Sequence, residues 1–302
     1  MCIKPIHFLV LILNLCFISL GLKAQINDTL NDAALVQKID LSFVDFLINN
    51  QEHEDALLLL KQQLKRKNID IIQLDSIYFY TAWAFYNLKN LDSSIVYFEK
   101  IEYNSAFYLQ SKFYENFEHL YLNQHKLADA KLAKLALEDS TLIELKKFQQ
   151  ASSALMQRDF LRFEAISNDF KYSNFSCANE QKELFKRKAE IVKNKKKSPL
   201  LAGLMSAVIP GTGKFYAGYR GQAISSMIPT FIFAAAAAES YYRAGAKSGQ
   251  FIAAASLFGI FYMGNIWGSV LSVKTFYELR NNEIHNNIML DLHIPLRRIF
   301  SN

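Results

Sequence analysis

Two stretches of this chain, Ala223 to Ala238 and Phe251 to Val273, contain no charged residue and are joined by the polar segment Tyr241 to Gln250. A helix needs about 20 apolar residues to cross the hydrocarbon core of a bilayer, and each stretch reaches that length once its flanks are counted. Folding the same residues as a buried soluble hairpin would demand about fifty nearly uncharged residues inside one small core, more than a domain of this size can enclose. The sequence therefore predicts a transmembrane helical hairpin within 198–280. The first stretch is alanine-rich and carries Ser225 and Ser226; the second carries Gly259, Gly264 and Gly268, the last two as G-x-x-x-G. Small residues at that spacing lie on one helix face and permit close helix packing in lipid, so Gly264 and Gly268 are expected on the packed side, leaving self-association through these helices open. Asn265, the one strongly polar side chain at depth, is expected to hydrogen-bond across the pair.

The charge pattern supports the same reading. The formal net charge is +6, and the excess is concentrated in Lys186, Arg187, Lys188, Lys193, Lys195, Lys196 and Lys197, directly before the apolar region. Such a run sits well against anionic headgroups, which accounts for it without a nucleic-acid partner. At the other end, Lys4 and His7 precede an apolar core from Phe8 to Leu20, and Leu22-Lys23-Ala24 completes an export signal at 1–24 with cleavage expected after Ala24. Cys2 and Cys16 fall in that segment, so Cys177 stands alone, with neither a disulfide framework nor a thiolate metal site.

Between Asn31 and Phe170 helix-length amphipathic stretches alternate with short polar breaks such as Asn49-Asn50-Gln51, Lys89-Asn90, Asn123-Gln124-His125 and Arg158-Asp159. Ile77, Tyr80, Ala84 and Leu88 recur at three- and four-residue steps, on one helical face. Taking Ala56, Ser94, Ala130 and Phe163 as equivalent positions gives spacings of 38, 36 and 33 residues. Tyr78, Ala82 and Phe85 followed by Ser94 and Phe98 resemble a tetratricopeptide unit, whose period is about 34 residues. The resemblance implies a helical solenoid over 25–175 that binds extended peptides or partner helices, with these five residues in its core. The dense aromatic run from Tyr78 to Tyr121 is expected to be mostly core, since each buried ring is worth roughly 2 kcal/mol or more.

Residues Ile209 to Gly218 form the second resemblance. Pro210, Gly211, Gly213, Tyr216 and Gly218 match the P-G-x-G-x-x-Y-x-G opening of small bacterial two-span membrane domains of unknown function. The glycines permit a tight turn, and Tyr216 and Tyr219 suit the headgroup level. The segment Leu200 to Tyr219 is better suited to a re-entrant or interfacial turn than to a third crossing. Gly211-Thr212-Gly213-Lys214 also imitates the end of a phosphate-binding loop. That loop needs Gly where Val208 stands and Ser or Thr where Phe215 stands, so no nucleotide is expected.

No catalytic, metal or cofactor constellation is found. His53, His119, His125, His285 and His293 lack ligand spacing with acidic partners, and Glu115 with Glu118 reads as helix-surface charge. The expected fold is all-α: a tetratricopeptide-like helical solenoid, a basic linker helix at 176–197, a transmembrane hairpin, and a C-terminal tail at 281–302. The expected function is that of a non-enzymatic adaptor in the inner membrane of a bacterial cell, contacting protein partners through a periplasmic repeat domain and the lipid bilayer through its hairpin. The alternative is a component of a transport or insertion assembly in which the hairpin itself meets substrate or lipid.

Overall fold

The computed structural model describes residues 41–66, 69–172, 176–194 and 196–300. The expected export signal and Lys195 lie outside them. The described residues form helices and no strand, and the chain divides into two compact units, Met1–Glu118 and His119–Asn302.

The first unit holds α1 (Ser42–Asn49), α2 (His53–Leu64), α3 (Ile71–Asn87), α4 (Leu91–Glu99) and most of α5 (Tyr108–Tyr121). Helix α3 is apolar on nearly every side, as a helix enclosed by others must be: Ile77, Phe79, Ala82, Ala84 and Tyr86 are all buried. It packs on α2 and α4, and Trp83 and Tyr86 meet Tyr114 of α5 edge-on at 4.8 and 5.3 Å between ring centroids. Ala82 and Ser94 are fully enclosed, and the Ser94 hydroxyl donates to the Ala82 carbonyl at 2.9 Å. Two small residues face each other there, which lets α3 and α4 approach closely.

The second unit continues with α6 (His125–Ala133), α7 (Ser140–Met156), α8 (Phe160–Ser167) and α9 (Ala178–Lys193). Beyond them come α10 (Pro199–Val208), α11 (Thr212–Ala217), α12 (Arg220–Ala244) and α13 (Gly249–Phe300). Helices α12 and α13 are each long and apolar enough to cross a membrane. Only 17% and 6% of their most apolar windows are buried within the chain.

The helix pairs share one turn. The chain leaves the first helix of each pair through a left-handed residue, Gln51 (φ 66°), Lys89 (63°), Asn123 (59°) or Arg158 (61°). In each turn that residue's N–H donates to the carbonyl three residues back, at 3.0 to 3.1 Å, and the next N–H to the carbonyl five back, at 2.8 to 3.0 Å. This is the Schellman arrangement, which satisfies the last helical carbonyls. Asn90 and Asp159 then cap the following helix, accepting from Ser93 N–H at 3.2 Å and Arg162 N–H at 3.0 Å. Five residues beyond the left-handed residue stand Ala56, Ser94, Ala128 and Phe163, all fully buried. The repeat position in the third pair is therefore Ala128, not the expected Ala130, which is exposed. The spacings become 38, 34 and 35 residues. Composition cannot separate two alanines on one short helix; the turn at Asn123 sets which of them faces inward. Ala128→Leu is expected to cost about 1–3 kcal/mol by overpacking and Ala130→Leu less than about 0.5 kcal/mol, read by thermal unfolding.

The tail expected from residue 281 is not a tail. Helix α13 is 52 residues long and runs unbroken from the apolar stretch to Phe300. Its second half buries Ile284, Ile288, Leu292 and Leu296 at four-residue spacing and packs on α7 and α9. Arg187 pairs with Asp291 at 3.0 Å, Arg298 with Glu180 at 3.2 Å, and Arg158 donates to Asn281 at 3.1 Å. Helix α9, expected as a basic linker, is thus part of a packed body. For the same reason the compact units divide near residue 118 instead of near 175: the last helix pair shares its core with α9 and α13.

Candidate functional site

Helices α10 and α11 form a short hairpin against α13. Ser198 caps α10, accepting from Leu201 N–H at 3.3 Å, and Pro199 starts it. Ten residues reach about 15 Å, half the length a membrane-crossing helix needs, and the chain reverses after Val208. Pro210 is buried at the turn, and Gly211 follows with φ +88°, where an added Cβ would lie 2.4 Å from Met227 Cγ and 2.9 Å from the Ala223 carbonyl. Gly213 is tighter still: its Cβ would stand 2.0 Å from the Ala202 carbonyl oxygen. Gly218 ends α11 with φ +112°. Tyr216 ties the two ends together, its hydroxyl accepting from Ser198 N–H at 3.2 Å and its carbonyl from Lys197 Nζ at 2.6 Å. Lys197 also lies over the rings of Tyr216 and Phe276, at 5.5 and 5.7 Å.

A polar seam joins this hairpin to α13. Ser206 and Ser269 hydroxyls are 2.7 Å apart, Gly213 N–H donates to Ser206 Oγ at 2.9 Å, and Ser269 Oγ donates to the Asn265 carbonyl at 2.8 Å. Asn265 is 2% exposed, and its Nδ2 donates across the helix pair to the Ser226 carbonyl at 2.8 Å and Thr230 Oγ1 at 3.1 Å. This is the expected cross-helix role. Its Oδ1, also buried, accepts no hydrogen bond.

Beside Asn265 opens a cleft of about 560 Å³ lined by Lys214, Gln222, Ser225, Ser226, Pro229, Ile260, Phe261, Gly264 and Asn265. The size falls in the range of ligand sites. The two glycines expected to pack helices behave differently from that expectation. Gly264 has nothing within 4 Å of an added Cβ and lines the cleft, while Gly268 receives the Lys214 side chain, Cε at 3.2 Å and Nζ at 3.4 Å from that position. Close contact with α13 falls instead to Gly203 of α10, whose Cβ would lie 2.9 Å from Val270 Cγ2. The G-x-x-x-G spacing was right for a shared face, but that face meets a lysine and a cleft. No family model, curated protein or solved structure matches the chain.

From the sequence, Lys214 is read as part of the turn and of a failed nucleotide loop, and Ser226 as a small residue of the apolar stretch; neither is joined to Gln222 in the cleft or to Thr230 beside it. The four-residue spacing of Gln222, Ser226 and Thr230, which places them on one face of α12, was the available signal. In the first unit Ala82, Ser94 and Phe98 are fully buried as expected, whereas Tyr78 and Phe85 are half-buried and flank Tyr97 at 6.2 and 5.7 Å. Of the aromatic run from Tyr78 to Tyr121 only Tyr103 and Tyr121 are exposed. Glu118, read as a surface charge, is fully buried. Desolvation, with Glu115 nearby, pushes its carboxyl up to about 8. The Ser94 hydroxyl opposes that shift, but its proton already serves the Ala82 carbonyl. Cys177 is enclosed too, and burial pushes its thiol up to about 12, which makes it a poor nucleophile.

Proposed function

We propose that the chain is a non-enzymatic adaptor held in the inner membrane of a bacterial cell by α12 and α13, which recruits other envelope proteins through tetratricopeptide-like helix pairs. The observation that carries this reading is the set of four matching turns with fully buried residues in step behind them. Such repetition builds an extended binding scaffold and supplies no catalytic group. The apolar faces of α12 and α13, open to their surroundings, support the membrane part, because soluble chains rarely leave so much contiguous apolar surface uncovered. A photo-reactive amino acid at Ile72 or Leu161, both widely exposed, should give discrete adducts with another protein in intact cells. Adducts at neither position nor at other exposed repeat positions would remove the adaptor reading.

The repeat side is assigned to the periplasm, because a long segment following an export signal is insensitive to flanking charge. A cysteine introduced at the exposed Ser140 should react with an impermeant maleimide once the outer membrane is opened. Protection until the inner membrane is lysed would place the repeats in the cytoplasm. The enclosed Cys177 can be left in place in this experiment. The cleft favours a second reading, a part in a transport or insertion assembly, since polar groups at membrane depth mark substrate contact.

A further inference from the structure

The cleft between α12 and α13 combines a cation, an unused acceptor and an apolar wall. Lys214 takes part in none of the ion pairs among the described residues. Its ammonium does not extend away from the helix but lies in the notch left by Gly268, where any larger residue would displace it. Gly268 is six residues before Lys274, about 9 Å along the helix from the first charge of α13 beyond its apolar stretch. An unpaired cation at that depth calls for a counter-charge.

The rest of the lining asks for donors. Asn265 Oδ1 is buried and accepts nothing, and the amide cannot be turned round, because Nδ2 is held by the Ser226 carbonyl. Ser225 and Ser226 give their hydroxyl protons to the carbonyls of Gln222 and Ala223, at 3.2 and 3.0 Å, so their oxygens remain as acceptors. Pro229 has no N–H for the Ser225 carbonyl four residues back, which leaves another acceptor in the same wall. Ile260 and Phe261 supply the apolar side, and Ile228 and Ile232 of α12 are exposed as well.

We propose that this cleft seats one phospholipid whose headgroup carries both a phosphate and a hydrogen-bond donor, an ethanolamine or a glycerol. The phosphate meets Lys214, the headgroup N–H or O–H meets Asn265 Oδ1 and the serine oxygens, and an acyl chain follows Ile260 and Phe261. A choline headgroup fails because its trimethylammonium cannot donate. The proposal rests on α12 and α13 crossing the bilayer.

The test uses the full chain purified in mild detergent and offered equal amounts of phosphatidylglycerol, phosphatidylethanolamine and phosphatidylcholine with the same acyl chains. Bound lipid is read by native mass spectrometry. Glycerol and ethanolamine lipids should exceed choline lipid by about tenfold, the ratio expected for losing one charge-assisted or buried hydrogen bond. Lys214→Gln should lower their retention by a similar factor and Lys214→Arg should keep most of it. Gly264→Leu, which fills open space in the cleft, should abolish it, and Lys193→Gln in the exposed basic tract should change nothing. Equal retention of choline lipid, or an equal loss in Lys193→Gln, would overturn the proposal in favour of general headgroup adhesion. Displacement by millimolar inorganic phosphate would overturn it in favour of a free-anion site. Alkaline carbonate extraction separates the two levels: release of the chain from membranes would overturn the membrane reading itself, whereas a retained chain with flat lipid preference would overturn only the lipid site.

Discussion

Unfolding of the first unit should become easier as pH rises from about 4.5 to about 8, and Glu118→Gln should remove that dependence. The carboxyl of Glu118 is fully buried in α5 and is shifted from 4.5 to about 8 in the folded chain. A raised value means that the folded state keeps its proton where the unfolded state has already released it. Its contribution to stability is therefore complete below the unfolded value and is lost as pH climbs through the folded one. A shift of this size corresponds to a ceiling of about 5 kcal/mol, reduced in practice by water entry and local relaxation. The chain has two tryptophans, and Trp83 stacks on Tyr86 at 5.4 Å inside this unit. Its fluorescence in a Trp267→Phe background follows the transition directly. Thermal midpoints at pH 5.5 and 8.5 should differ widely in the native chain and converge in Glu118→Gln. Equal midpoints in the native chain would mean that Glu118 is ionised and solvated at neutral pH.

Gly213→Ala should break the α10–α11 hairpin, although the change adds one methyl group. That methyl would lie 2.0 Å from the Ala202 carbonyl oxygen and 2.7 Å from its carbon, inside the contact distance of backbone atoms that cannot rotate away, and 2.7 Å from Ser206 Oγ. Relief requires α10 and α11 to separate, which also strains the Ser206 hydroxyl bonds to Gly213 and Ser269. A cost of about 3 kcal/mol or more follows from overpacking plus a disturbed buried hydrogen-bond seam. Gly264→Ala, on the open side of α13, meets nothing within 4 Å and should cost nothing, gaining up to about 1 kcal/mol from helix propensity. Limited proteolysis in detergent, cutting near Pro210, compares the two; similar resistance in both variants would remove the claim that Gly213 is the contact point.

Periodicity, charge and length made the helical fold, the paired helices and the two long apolar helices legible without a structure, because each depends on residues near one another in the chain. The motif Pro210 to Gly218 was legible as a turn for the same reason, since a positive φ and a close approach both select glycine. Other features depend on what lies opposite in space. Ala128 and Ala130 are alike in sequence, and only the left-handed turn at Asn123 decides which is enclosed. Glu118 looks like a solvated helix charge until α3 and α4 cover it. Gly264 and Gly268 share a face as their spacing requires, but Lys214 from a separate helix occupies one of them and nothing occupies the other. Residues 281–300 carry enough charge to resemble a loose tail; four apolar residues at four-residue spacing, facing α7 and α9, make them the end of a single 52-residue helix. Local chemistry determined which helices form, and tertiary packing decided which of their faces meet, since a side chain's burial is set by partners distant in the sequence.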